Sequence, residues 1–114
     1  MSRPWVPRAS EIVLIEFNPV AGHEQGNARP AVVLSHQGFN DRVGLVVCVA
    51  VTSQVKGNPF EVRIAGLEKP SVALSHQVRT LDWRARRARA MGFASREELQ
   101  EIQAKLGALI GTDF

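Results

Sequence analysis

The sequence predicts a mainly β protein that ends in one α-helix. Short apolar runs of strand length recur as far as Trp83, separated by Gly, Pro and polar residues. After Ser95 the apolar spacing changes to that of a helix face. No repeat or low-complexity linker breaks the pattern, so a single domain over residues 1–114 is expected. Strands this closely spaced imply a small barrel or a strongly bent sheet.

Glu11 to Phe17 reads as the first strand, with Ile12, Val13, Leu14 and Ile15 as its apolar run and Asn18-Pro19 as its stop. A polar loop from Val20 to Ala28 follows, and then Ala31 to Ser35 forms a second strand, with Pro30 at its mouth. Gly38 to Gly44 reads as a turn region with room for one helical turn. Leu45 to Thr52 is a third strand, apolar nearly throughout and therefore central. A second polar loop, Ser53 to Asn58, contains Lys56-Gly57. Phe60 to Ile64 alternates apolar and charged residues, the pattern of a half-exposed strand. Val72 to Leu74 and Val78 to Trp83 read as two more short strands. Ser95-Arg96-Glu97-Glu98 is a capping box, after which Leu99, Ile102, Leu106, Leu109 and Ile110 place one apolar stripe on a helix. Glu97 and Glu98 suit the positive end of its dipole, while Gly107 weakens the last turn by about 1 kcal/mol relative to alanine.

A hydrophobic fraction of 45% supports a core, and a charged fraction of 22% argues against disorder. A chain of 114 residues buries a modest share of its surface, which makes pairing with a second copy a natural source of stability. The net charge of +3 favours an anionic partner. Cys48 is the one cysteine, so intrachain disulfides and thiolate zinc clusters are excluded, and its apolar setting reads as a small buried hydrophobe. With no apolar signal core at the N-terminus and no run of membrane-spanning length, a soluble cytoplasmic protein is expected.

His23, His36 and His76 are far apart in sequence and no carboxylate cluster accompanies them, so no metal site or cofactor is expected. RNA can be cut without a metal when its own 2'-hydroxyl attacks the neighbouring phosphorus. That chemistry needs a proton acceptor, a proton donor for the leaving 5' oxygen, and cations to stabilise the added charge. The two polar loops carry suitable groups: His23, Glu24 and Arg29 on the first, Thr52, Ser53, Gln54 and Lys56 on the second. Each also has a plain structural reading, as a surface arginine, a strand-end hydroxyl or a solvated loop residue. Arg84, Arg86, Arg87 and Arg89 form the densest charge, either a solvated face or a surface for phosphates or an acidic peptide. Phe17, beside the first loop, is a candidate for stacking a base.

Taken in order, Gly22-His23-Glu24-Gln25, Arg29-Pro30-Ala31-Val32-Val33-Leu34-Ser35, Val51-Thr52-Ser53-Gln54 with Lys56-Gly57, Pro59-Phe60-Glu61-Val62, and Val72 through Arg86 resemble the MazF/PemK toxin family. The elements are specific as a set and weak one by one. The resemblance implies an SH3-like β-barrel with a packed C-terminal helix, the fold shared with gyrase-poison toxins, acting as a homodimer. It implies an endoribonuclease that cuts single-stranded mRNA at short motifs, independently of ribosome and metal, and leaves 2',3'-cyclic phosphate and 5'-hydroxyl ends. It further implies a MazE-like antitoxin whose acidic flexible tail fills the RNA groove, with DNA met only through the antitoxin complex.

By position, Arg29 and Thr52 match the family's catalytic pair and Glu24 its loop acid. Lys56 and Gln77 fall where RNA contacts are expected, and Phe17, His23, Gln25, Ser53 and Gln54 complete the candidate RNA surface. An arginine stays protonated at ordinary pH, so Arg29 is assigned to phosphate charge rather than to proton abstraction. Relatives often carry aspartate where this chain has His76, a residue type able to transfer protons near neutrality. Whether Glu24 or His76 serves as general base stays open. Ala50 replaces a proline common before the threonine, a change expected to affect the strand end. Two other readings are a same-fold gyrase poison and a non-enzymatic nucleic-acid-binding module. The first is disfavoured by the Gly111-Thr112-Asp113-Phe114 ending, which lacks the Trp-Gly-Ile of such poisons.

Overall fold

Ile12 and Val13 are neighbours in sequence, both fully buried, and belong to different hydrophobic clusters. Such a strand must be covered on both faces, and the computed structural model, which describes residues 4–17 and 28–111, shows how. Its elements are β1 (Glu11–Glu16), β2 (Ala28–Val33), α1 (Gln37–Val43), β3 (Leu45–Thr52), β4 (Glu61–Ile64), β5 (Ser71–Asp82), β6 (Arg89–Phe93) and α2 (Arg96–Leu109). The strands form one six-stranded antiparallel sheet in the order β4-β5-β3-β2-β1-β6.

Because side chains alternate along a strand, the sheet sends Val13, Ile15, Val33, Val46 and Cys48 to one cluster. Ile12, Val32, Val49, Val51, Val62 and Ile64 go to the other, where Ile102 of α2 is fully buried among them. The sheet therefore curls into a half-barrel with the helix packed on it, in keeping with the small barrel or strongly bent sheet expected. Edge strands β4 and β6 share no ladder. They approach beyond the end of β4, where a side chain on Gly66 would stand 3.0 Å from the Phe93 carbonyl oxygen. No helix among the described residues is long and apolar enough to cross a membrane.

The capping box forms as read: Ser95 Oγ accepts from the Glu98 amide at 3.0 Å and the Ser95 amide donates to Glu98 Oε1 at 2.8 Å. The other Glu98 oxygen accepts from the Ala65 amide at 2.9 Å, so the cap also anchors the helix to the chain leaving β4. Only part of the apolar stripe is used. Ile102 is buried and Leu99 packs on the cluster, but Leu109 and Ile110 are exposed.

Four boundaries differ from the sequence reading. The second strand starts at Ala28 rather than Ala31, which places Arg29 inside it opposite Ile15. The β3 ladder begins only at Ala31, so the missing Pro30 N–H is tolerated. The turn at Gly38 to Gly44 is a seven-residue helix ended by Gly44 at φ 81°. Its fully buried Asn40 ties three segments together, donating to Pro7 O and Ser35 O while its carbonyl accepts from Trp83 Nε1 at 2.8 Å. The two short strands at 72–74 and 78–83 are halves of one long β5, and β6 was not anticipated.

Candidate active site

The bend in β5 creates the site. Val49 of β3 pairs with Val78 and Val51 pairs with Ala73, so two steps along β3 are matched by five along β5. The surplus residues leave the β3 ladder. Leu74 pairs with Glu61 of β4 and the Ser75 amide donates to Phe60 O at 3.0 Å, while His76 and Gln77 are exposed. A long insertion of this kind bends a strand and re-aims its side chains.

A cavity of about 250 Å³ lies at this bend. Arg29 from β2 and Thr52 from the end of β3 both line it, as do Gln54, Lys56, His76 and Gln77. Six residues named from the sequence thus meet in one hollow, although they come from three strands and a loop. Ala50 and Leu74 line its walls.

The polar groups are differently committed. The Thr52 hydroxyl accepts from the Gln54 amide at 3.1 Å, which occupies a lone pair and leaves its proton to donate elsewhere. The Arg29 guanidinium makes no salt bridge among the described residues; those present are Arg84–Asp41 and Lys105–Glu101. His76 lies against Phe60 with ring centroids 4.9 Å apart.

The carboxylate of the cavity, Glu61, is turned to the loop. It accepts from the amides of Lys56 and Gly57, each at 2.9 Å. The Lys56 amide is the main cause holding this carboxyl below its ordinary value. The Gly57 and Asn58 amides and the Lys56 charge act in the same direction, against a desolvation that opposes them. Gly57 has φ 81°, the left-handed conformation that lets the loop fold back onto Glu61. Glu61 therefore fixes the part of the loop that brings Lys56 to the cavity; sequence reading took it for one charge of an alternating strand.

The remaining sequence candidates divide. Ser53 is exposed and lines a neighbouring cavity of about 510 Å³, which Arg29 and Thr52 also line. Glu24, His23 and Gln25 lie outside the described residues. Phe17 is not brought to the cavity. It is buried in the first cluster with Arg79 over its ring at 5.5 Å, so packing takes the face that stacking would need. Cys48 is fully buried and desolvation pushes its thiol up to about 12, in keeping with the inert role expected of it.

Two of the four arginines in the basic run are committed to the fold. Arg86 donates to the carbonyls of Glu16 and Phe17 at 3.0 and 2.6 Å, and Arg84 covers the Trp83 ring at 4.2 Å while meeting Asp41. A larger hollow, about 980 Å³, lies between the N-terminal segment and α1 and is lined by Trp5, Arg8, Asp41 and Arg84. Of the candidate residues named from the sequence it holds only Arg84, which is already committed to Asp41 and the Trp83 ring, so size is the poorer guide here and side-chain chemistry the better one.

Residues 8–110 match the family model described as PemK-like, MazF-like toxin of type II toxin-antitoxin system. The chain is 46% identical over 107 residues to the endoribonuclease toxin MazF of Escherichia coli strain K12, covering 94% of this chain and 96% of that one. The endoribonuclease toxin ChpB of the same strain is 38% identical, with 88% and 90% covered. Among solved structures, MazF from Deinococcus radiodurans superposes with a TM-score of 0.86 at 45% identity, covering 96% of this chain and all of that one. A chain of the MazE-MazF complex from the same organism gives 0.84 at 38% identity, with 96% and 100% covered. The chain belongs to the PemK-like, MazF-like toxin family of type II toxin–antitoxin systems.

Proposed function

We propose that this protein is an endoribonuclease toxin that cuts single-stranded RNA at the cavity under the β5 bend. The observation that carries the reading is the meeting of Arg29 and Thr52, from neighbouring strand ends, with Lys56 and His76 around one hollow. The names of the MazF and ChpB relatives support the activity.

In the proposed reaction the 2'-oxygen forms a bond to phosphorus as the bond from phosphorus to the 5'-oxygen breaks, giving a 2',3'-cyclic phosphate and a 5'-hydroxyl. The 2'-hydroxyl proton passes to a base and a proton is delivered to the leaving 5'-oxygen, so no water is consumed. Arg29 holds the charge that grows on the phosphoryl oxygens, and Thr52, its lone pair already engaged by Gln54, donates a hydrogen bond to the same group. Lys56 and Gln77 hold the strand in place. His76 is the proton-transfer group within the described site, with Glu24 the partner for the opposite step. We assign no metal to this mechanism: among the described residues the one carboxylate lining the cavity, Glu61, is engaged by the backbone of its own loop.

The working form proposed is a homodimer in the cytoplasm, with exposed Leu109 and Ile110 offering apolar surface for pairing. A MazE-like antitoxin with an acidic tail is the proposed partner, supported by the MazE-MazF complexes among the structural relatives. The test is cleavage of a long mixed RNA in excess EDTA, followed by analysis of the ends. Cyclic phosphate and 5'-hydroxyl ends are expected; a requirement for added magnesium would refute the mechanism.

A further inference from the structure

The geometry points to a second, base-reading pocket: the cavity on the other side of Arg29 and Thr52 takes the nucleobase next to the cut phosphate and reads it with Glu68. This rests on the reading of the first cavity as the RNA-cutting site. Arg29 and Thr52 line both hollows, so a phosphate held by them lies on the wall between, and a nucleotide attached to it enters the second cavity.

The second cavity, about 510 Å³, is built for an aromatic ring with a polar edge. Pro30, Val51, Leu67 and Met91 supply apolar wall, while Glu68 and Lys69 stand exposed on its rim. The segment carrying these rim residues is fixed at several points. Its start is held by the Ala65 amide donating to Glu98, and Gly66 lies close enough to β6 that a side chain there would meet the Phe93 carbonyl oxygen. Leu67 packs on the second core cluster, and Ser71 Oγ donates to the Lys69 carbonyl at 2.9 Å. A wall held in this way is preorganised, and a pocket whose shape precedes its ligand discriminates between ligands.

Neither Glu68 nor Lys69 joins a salt bridge among the described residues. An ionised carboxylate only accepts hydrogen bonds, so Glu68 favours a base edge that carries an amino group, as adenine, cytosine and guanine do. Uracil is disfavoured, since its single N3–H is flanked by two carbonyl oxygens. Lys69 bears charge but no base-specific geometry and strengthens binding to every sequence alike.

The experiment uses the full chain and an RNA library randomised around the cut, with 5' ends sequenced for the wild type, Glu68→Lys and Lys69→Ala. Both positions are exposed, so both variants are expected to fold. The wild type should disfavour uracil at one position bordering the cut. Glu68→Lys should raise the relative cutting of uracil there about tenfold, leaving preferences elsewhere unchanged. Lys69→Ala should slow all sequences equally. Cutting by Glu68→Lys with the wild-type preference at both bordering positions would overturn this pocket and leave the first cavity's assignment standing. Absence of any cutting by the wild type would overturn both.

Discussion

Arg29 at the start of β2 and Arg86 in the turn between β5 and β6 are both arginines, and they do opposite things. Arg86 belongs to the densest basic stretch, yet its guanidinium is spent on the carbonyls that end β1. Arg29 stands apart from other positive charge in the sequence, inside β2, with no salt bridge among the described residues and two cavities beside it. Local density of charge is therefore a poor guide to which cation is left to meet a ligand. What distinguishes the two is whether the guanidinium has already found partners in the fold.

Exchanging the two roles gives the largest expected effect. Arg29→Ala should lower the cleavage rate by roughly 10²–10³-fold, the scale of losing a preorganised donor to a transition-state oxyanion, with no loss in melting temperature. Arg86→Ala should do the reverse, costing about 2 kcal/mol of stability through unsatisfied carbonyls and leaving cleavage intact below the melting transition. Calorimetry and a cleavage time course on both variants check the pair. If Arg86→Ala proved stable and inactive, the contrast drawn here would be wrong.

His76→Gln sharpens the same comparison from the side of proton transfer. Loss of a general acid–base group should reduce the rate by about 10²-fold and remove one limb of the pH–rate profile, whereas loss of a merely structural side chain would lower the whole profile without changing its shape. Thr52→Val should slow cutting by about fivefold, the scale of a donated hydrogen bond worth near 1 kcal/mol, and should also loosen the turn that Gln54 makes onto it. Single-turnover rates separate the two effects from binding.

The smallest effect concerns Glu61. Its carboxyl is held below the ordinary value of 4.5. A depressed carboxyl contributes stability that is fully present above its unfolded value and is lost as pH falls through the folded value. The loop bearing Lys56 should therefore stay ordered from neutrality down through pH 5 and loosen only in stronger acid. The Lys56 and Gly57 amide resonances should shift with a midpoint below 4.5, and in Glu61→Gln that transition should disappear. A midpoint above 4.5 would contradict the contacts described.

Legibility in the sequence followed the range of the interactions involved. Leu45–Thr52 was read with the bounds it has, because a strand buried on both faces is apolar at nearly every position. The capping box was equally plain, since both of its hydrogen bonds join residues three apart. Family resemblance named Arg29, Thr52, Lys56 and Gln77, and the fold brings these four to one cavity. The break read between Val72–Leu74 and Val78–Trp83 was a true signal misassigned: the residues between form the bend that delivers His76 and Gln77. Three features carried no readable signal. Phe17 looked free to stack, Glu61 looked like one charge of an alternating strand, and Asn40 looked like an ordinary turn residue.

By itself the sequence determined the elements whose energetics are local: strand length from apolar runs, the helix start from its cap, the inertness of Cys48 from its apolar neighbours. Tertiary structure alone decided which polar groups are free. A guanidinium, a carboxylate and an aromatic ring each have one set of partners to spend, and distant segments claim them: β1 takes Arg86, the Lys56 loop takes Glu61, and Arg79 covers Phe17. Function falls to the groups left over, and that remainder is defined only once the chain has closed on itself.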